Sequence, residues 1–403
     1  MDQATKFDPR RAPLTLHVKS MASPQALFSE KAGVVRAEKS NGVWNLYRHD
    51  DIIQINRHPA ILGNGGQGGS FGNDNPLIPL EIDGEDHKKW RKLLDPIFGP
   101  KQMFPLEAQI RQLAGELIDQ FAARGEAELS EEFCVPLPSL TFLRLVGAPV
   151  EDLDFFLDFK QGVIHPEGDT VEEMDANMAA AGGKLLEYFV KFLAERRAET
   201  EQKDTEQKDD VIAVLLRSEV DGEPIAELDL LNIMFLLMFA GLDTVTSSLS
   251  CLFAWLGQHP DERDRLVADR SLLPAAIEEI LRYESPVPSG QRFATEDIDL
   301  GDGLVIKSGD IIHAFWAAAN VDPTHYDNPL TVDFGRGRQS HIVFASGTHR
   351  CLGSHLARME LRIALDEILT RIPDYTVPAV EDLVYDNVSV RAVTRLPITF
   401  TPS

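Results

Sequence analysis

The sequence predicts a mainly α protein with a smaller β region, organised as a single domain over residues 1–403. Three observations lead there. Several stretches place apolar residues three and four positions apart. One long stretch, Leu228 to about Leu256, is apolar on nearly every side, and a strand-like region between Asp297 and Phe315 is punctuated by glycines. No composition shift marks a linker between domains, and length alone does not separate one large enzyme domain from two or three smaller ones.

Taken in order, residues 1 to about 42 are irregular and broken by prolines. Val43–Tyr47 then reads as a strand and Asp50 to Asn56 as a short helix. The segment GNGGQGGSFG follows at residues 63–72 and contains a formal GxGxxG in Gly63, Gly65 and Gly68. A dinucleotide fingerprint must open directly into a helix, whereas here Phe71 to Pro79 intervenes with two prolines, so a mobile loop is expected. Helical periodicity covers His87–Ile97, Ile110–Ala123, Leu140–Val146, Val171–Arg197 and Val211–Leu216. A duplicated pentamer, Thr200–Asp204 and Thr205–Asp209, has no apolar residue to bury and reads as a solvated connection or an extended helix end. Leu228 to Leu256 is expected to be the longest helix and a buried central element. Leu273–Tyr283 is helical, Gly301, Gly303 and Gly309 separate hairpin strands, and His355–Ile372 returns to helix.

Charge and cysteine content narrow the function. Asp and Glu number 64 against 39 Lys and Arg, a net charge of −25, and such a surface repels phosphate, which argues against a nucleic-acid partner. Cys134, Cys251 and Cys351 stand far apart with no CxxC pair, so neither a disulfide framework nor a structural zinc site follows. The N-terminal residues lack the apolar core of a signal peptide, and the run Ile233–Leu242 is too short to span a bilayer. A soluble, cytoplasmic protein without stable membrane insertion is expected.

The chemistry is concentrated in Phe344-Ala-Ser-Gly347-Thr-His349-Arg-Cys351-Leu-Gly353, which runs into the helix beginning near His355. A thiolate just ahead of a helix is favoured by the helix dipole and by nearby N–H groups. Gly347 and Gly353 would let the backbone pass close to something flat. By residue type alone three readings stand: a structural cysteine, a nucleophile with His349 as base, or an axial thiolate on heme iron.

This FxxGxxxCxG pattern resembles the heme-binding loop of the cytochromes P450, and three further segments resemble the same family, so that the likeness runs from about Val43 to the C-terminus. Glu279-Ile-Leu-Arg282 is similar to the family's ExxR pair, which with Arg336 would brace the cysteine loop. Ala240-Gly241-Leu242-Asp243-Thr244 resembles the acid–alcohol pair of a central helix that is locally opened over the heme, in the form closest to the camphor-hydroxylating branch. There the threonine hydroxyl and the acid manage protons during oxygen activation. His87 and Arg91, four apart on one helix, resemble the donors to the heme propionates, joined by Arg292 and His349.

The resemblance implies a cytochrome P450 fold, a triangular helical prism around buried heme b, and a monooxygenase. It would insert one atom of O2 into a hydrophobic small molecule, a terpenoid, aromatic or steroid-like compound. Phe344, Gly347, Gly353, Ala240 and Gly241 would contact the cofactor, Cys351 would ligate its iron, and Leu236, Phe239, Ala240 and Val287 would line the substrate pocket. The 63–72 loop falls where the family places a mobile lid. A length consumed by the heme domain implies electrons from a separate ferredoxin, with Lys88, Lys89, Lys92 and Arg350 as candidates for its docking patch. A heme-thiolate ligand or gas sensor and a peroxide-driven P450 are the alternatives; the Asp243–Thr244 pair argues against both.

Overall fold

The computed structural model describes residues 21–63, 75–201, 209–337, 341–387 and 390–402. The chain divides into two compact units. One comprises Met1–Ile61, Glu107–Val135 and Thr244–Ser403; the other comprises Leu62–Leu106 and Pro136–Asp243.

In chain order the main helices are α1 (Gln25–Val34), α2 (His49–Arg57), α3 (Gly84–Ile97), α4 (Glu107–Asp119), α5 (Pro136–Val146), α6 (Leu153–Ile164) and α7 (Val171–Glu201). They continue as α8 (Val211–Arg217), α9 (Glu227–Gly241), α10 (Thr244–Gln258), α11 (Pro260–Ala268), α12 (Leu273–Glu284), the short α13 (Trp316–Ala319) and α14 (Ser354–Arg371).

In the first unit, strands β1 (Ala37–Ser40) and β2 (Val43–Leu46) form an antiparallel hairpin. With β3 (Ile61–Leu62), β7 (Gly290–Ala294) and β10 (Ile311–Ala314) they make a sheet in the order β1-β2-β10-β7-β3. β2 and β10 run parallel, Val43 opposite Ile311, while β10 and β7 run antiparallel with Ile312 opposite Arg292. Leu46, Ile52, Ile55, Ile306, Ile312 and Trp316 are buried together beside this sheet, and Val287 packs partly buried against them. The alternating pleat therefore fixes which face of β7 meets the apolar core. Short pairs complete the β content: β4 (Glu126–Glu128) with β13 (Pro397–Thr399), β8 (Ile298–Asp299) with β9 (Val305–Ile306), and β11 (Val384–Asp386) with β12 (Ala392–Arg395). β5 (Glu219–Val220) and β6 (Glu223–Pro224) form a hairpin of the second unit.

α10 is the centre of the first unit, packed against α12 and α14, because Leu249, Cys251, Leu252, Phe253 and Leu256 are all buried. α14 in turn lies along α4, where Arg111 reaches Asp366 at 2.8 Å and Arg362 reaches Glu107 at 2.8 Å. In the second unit α7 packs on both α6 and α9, and α5 also meets α9. Ile233 to Met238 of α9 are all buried, and Phe159 of α6 sets its ring edge-on to Phe235 at 5.4 Å.

Several expectations need correction. Residues 21–42 are not wholly irregular: they hold α1 and β1. α6 and α11 escaped the periodicity reading, α6 because Phe155, Phe156 and Phe159 crowd apolar positions that blur a clean stripe. The longest helix is α7, with 31 residues, because the segment from Leu228 to Leu256 is divided at Leu242-Asp243 into α9 and α10. The segment Glu227–Gln258 is also long and apolar enough by composition to cross a membrane, although 56% of its most apolar 18-residue window is buried in protein. A ten-residue apolar run was too narrow a measure of it. Most of the 63–72 loop and of the repeated pentamer lies outside the described residues.

Candidate active site

Of the three cysteines only Cys351 is exposed; Cys134 and Cys251 are buried. Burial raises the Cys134 thiol well above its usual range and pushes Cys251 up to about 12, which leaves both as inert core residues. Cys351 lies two residues before Gly353, the cap of α14. Its N–H donates to the Phe344 carbonyl at 2.9 Å, and Arg350 N–H donates to Gly347 at 3.3 Å, closing the loop on itself.

The loop is fixed from two directions. Gly347 adopts φ +74°, and a Cβ there would lie 1.9 Å from the Asn56 carbonyl oxygen, so no side chain fits. Asn56, at the end of α2, donates from Nδ2 to Ser346 Oγ at 3.0 Å and accepts from Arg292 Nε at 3.1 Å. One buried amide thus ties the cysteine loop to β7. Arg292 is itself buried, with its guanidinium over the Trp316 ring at 5.7 Å. His349 is half-buried on the same loop.

α12 holds the 320–336 segment that precedes the loop and reaches the loop itself through Glu278 and Arg358. Arg282 is 1% exposed and all five of its N–H groups find acceptors. Nε and Nη2 donate to the two oxygens of Glu279 at 2.9 Å, Nη1 to the carbonyls of Asn320 (2.7 Å) and Pro329 (2.9 Å), and Nη2 also to Thr331 (3.2 Å). Glu279 Oε1 accepts from Arg336 Nε at 2.7 Å as well. The expected Glu279, Arg282 and Arg336 therefore meet, as a buried and saturated network instead of the weak surface pair that spacing alone suggests. The adjacent Glu278 was not foreseen. It accepts from His341 at 2.9 Å and from Arg358 Nε at 2.6 Å, and the Arg358 guanidinium lies 4.2 Å from the Phe344 ring centroid. Burial pushes the Glu278 carboxyl up, but the bonds from His341 and Arg358 more than reverse this and hold it down at about 2.

The second unit carries the remaining candidates. His87 is buried on α3, and Arg91, one turn on, pairs through Nε with Asp95 at 2.7 Å. Along α9, Leu236 is buried, Phe239 is half-buried and Ala240 is exposed, an open position just after the buried run Asn232–Met238. Gly241 is explained by packing: a Cβ there would fall 2.6 Å from the Phe142 ring of α5. Asp243 Oδ1 meets Lys160 Nζ at 3.2 Å, a partner from α6 that no motif announced. The helix stops at Gly241 and restarts at Thr244, so the acid–alcohol pair sits at a helix interruption, as the resemblance implied. Lys88 pairs with Glu85 at 2.6 Å, and Lys89 with Asp221 at 2.9 Å and Asp86 at 3.6 Å, so acids of the same unit offset two of the expected docking cations.

These residues fit a heme-thiolate centre. The exposed sulfur is the one cysteine not silenced by burial, it stands on a loop whose glycine admits no side chain, and the buried Arg292 of the same unit is a cationic donor suited to a carboxylate.

Comparison with known proteins agrees. The family model described as Cytochrome P450 matches residues 170–373. Cytochrome P450 107B1 of Saccharopolyspora erythraea is 32% identical over 91% of each chain. A steroid C26-monooxygenase of Mycobacterium tuberculosis is 30% identical over 95% of this chain and 92% of its own. Among solved structures, CYP109E1 from Bacillus megaterium in complex with testosterone superposes with a TM-score of 0.84 at 26% identity, covering 94% of this chain and 98% of that one.

Proposed function

Because the chain belongs to the cytochrome P450 family, we propose that it hydroxylates or epoxidises a hydrophobic small molecule with O2, drawing electrons from a separate ferredoxin and its reductase. The enzyme is a P450 monooxygenase and its cofactor is heme b, as in its relatives. Bound heme supplies the iron at which O2 is reduced and cleaved.

The chain's own residues divide the remaining work. Cys351 is assigned to hold the heme iron, to which its thiolate would supply electron density. Phe344, Gly347 and Gly353 shape the loop around it. Arg292 and His349 in the first unit and His87 and Arg91 in the second are assigned to the carboxylates of the cofactor, which need paired donors once buried. Asp243 and Thr244 hold and pass protons, with Lys160 orienting the Asp243 carboxylate. Ala240, beside the helix interruption, is assigned to cofactor and substrate contact, and Leu236, Phe239 and Val287 make apolar walls.

A terpenoid, aromatic or steroid-like substrate suits those walls. The steroid end of that range is supported by the relative named for steroid C26 oxidation and by the solved neighbour holding testosterone. Water solubility and a cytoplasmic location are the companion reading, supported by the burial of the apolar Glu227–Gln258 segment.

The observation that carries the proposal is the exposed Cys351 on a loop held by Asn56 through Ser346 and, through Arg358 over the Phe344 ring, by Glu278. The test compares turnover with NADH, reductase and ferredoxin against turnover with hydrogen peroxide. The ferredoxin route is expected to dominate, and Thr244→Ala should consume NADH with little product while still binding substrate. Product and NADH remaining matched in Thr244→Ala would remove the proton role. Turnover with peroxide alone would make the peroxide-driven reading correct, and binding without turnover the sensor reading.

A further inference from the structure

We propose that His49, Asp50 and His325 form a divalent metal site, with Zn2+ as the cation it fits best, within the first unit and apart from the Cys351 loop. Among the described residues, these three bring their ligand atoms within 4.8 Å of one another. Asp50 Oδ1 lies 3.1 Å from His49 Nδ1 and 3.2 Å from His325 Nδ1. The two imidazoles stack with centroids 3.5 Å apart and planes 19° from parallel, so both Nδ1 atoms face one carboxylate oxygen.

Those separations are close to what a tetrahedral ion requires. Zinc binds histidine nitrogen and carboxylate oxygen at about 2.0–2.2 Å, which sets neighbouring ligand atoms roughly 3.3–3.5 Å apart. The Asp50 oxygen needs to move from each nitrogen by only a few tenths of an ångström, and the nearly parallel imidazoles must tilt so that their Nδ1 lone pairs converge on the ion. Two nitrogens and one oxygen also favour a borderline transition metal over calcium or magnesium, which take oxygen sets. The Asp50 side chain is 86% exposed, so solvent can supply the fourth ligand.

The site is built in advance by a residue outside it. Asp322 is fully buried, and its carboxylate accepts from His49 N–H at 2.9 Å through one oxygen and from Thr324 N–H at 2.8 Å through the other. Its carbonyl accepts from His325 N–H at 3.1 Å. One buried side chain therefore holds both histidine-bearing segments in register, the start of α2 and the turn after α13. The Tyr326 ring stands edge-on to both imidazoles, at 5.9 Å and 4.7 Å, and walls the remaining side. A bound ion would pin that turn to the helix whose other end holds the cysteine loop through Asn56.

The experiment uses the heme-loaded full chain, stripped of adventitious metal and titrated with Zn2+ against a chromophoric chelator. One equivalent should bind, and the thermal midpoint should rise as it does. His325→Gln and Asp50→Asn should each weaken that equivalent by about 10–100-fold or more and remove the thermal shift. His165→Gln, an exposed histidine of the other unit, should change neither. Variants that bind zinc as the parent does, or a parent that binds none, would overturn the proposal. Should His325→Gln fail to fold, the exposed Asp50 variant decides.

Discussion

Gly347 concentrates the structural demands of the site in one residue. It takes a left-handed backbone and passes 1.9 Å, measured from an ideal Cβ, from the Asn56 carbonyl, so Gly347→Ala must move the cysteine loop or the end of α2. The expected outcome is a protein that folds but loads heme poorly, read as a lowered ratio of Soret to protein absorbance. Normal heme content in Gly347→Ala would show that the loop can shift without loss. Glu278 gives a second test at this scale. Its carboxyl is held down at about 2, below the 4.5 it would have in an unfolded chain. A depressed acid stabilises the fold above its unfolded value and loses that contribution as pH falls from about 4.5 toward about 2. The urea midpoint should therefore drop between about pH 5 and pH 3, and less steeply in Glu278→Gln; an unchanged slope would place the acid sensitivity elsewhere.

At the scale of elements, α12 acts as the rear clamp of the cysteine loop. Consecutive glutamates turn to different partners: Glu279 binds Arg282 and Arg336, while Glu278 binds His341 and Arg358. Removing one partner from a buried ion pair leaves the other uncompensated, at roughly 3–5 kcal/mol. Glu279→Gln should destabilise by about that amount in denaturant unfolding and release heme on mild heating; a change below about 1 kcal/mol would contradict a buried, saturated network. Much of this was legible in advance, because Glu279, Arg282 and Arg336 stand in recognisable motifs. Glu278, Asn56 and Lys160 were not, since nothing in a one-dimensional pattern says which carboxylate faces Arg358 or which amide lies beneath a glycine. Long helices with regular apolar spacing, such as α4 and α12, were read to within a few residues. α6 was missed where aromatic crowding hides the stripe, and the division between α9 and α10 has no signal in apolar periodicity because both halves are buried.

At the scale of the molecule, the chain carries a net charge of −25, and two of the four cations expected for docking are already engaged with acids. One of the chain boundaries between its two compact units falls between Asp243 and Thr244, the pair to which proton handling is assigned. The fold class was readable because burial imposes periodicity over hundreds of residues, whereas the roles given to the cysteine loop come from its motif and await the spectrum below. The central claim is that Cys351 ligates heme iron as a thiolate, and the direct measurement is the absorption difference spectrum of the dithionite-reduced protein with and without carbon monoxide. The account predicts a Soret band at the position that gives the family its name, lost in Cys351→Ser. A band at clearly shorter wavelength in freshly prepared protein with full heme content, or a band that survives Cys351→Ser, would contradict it.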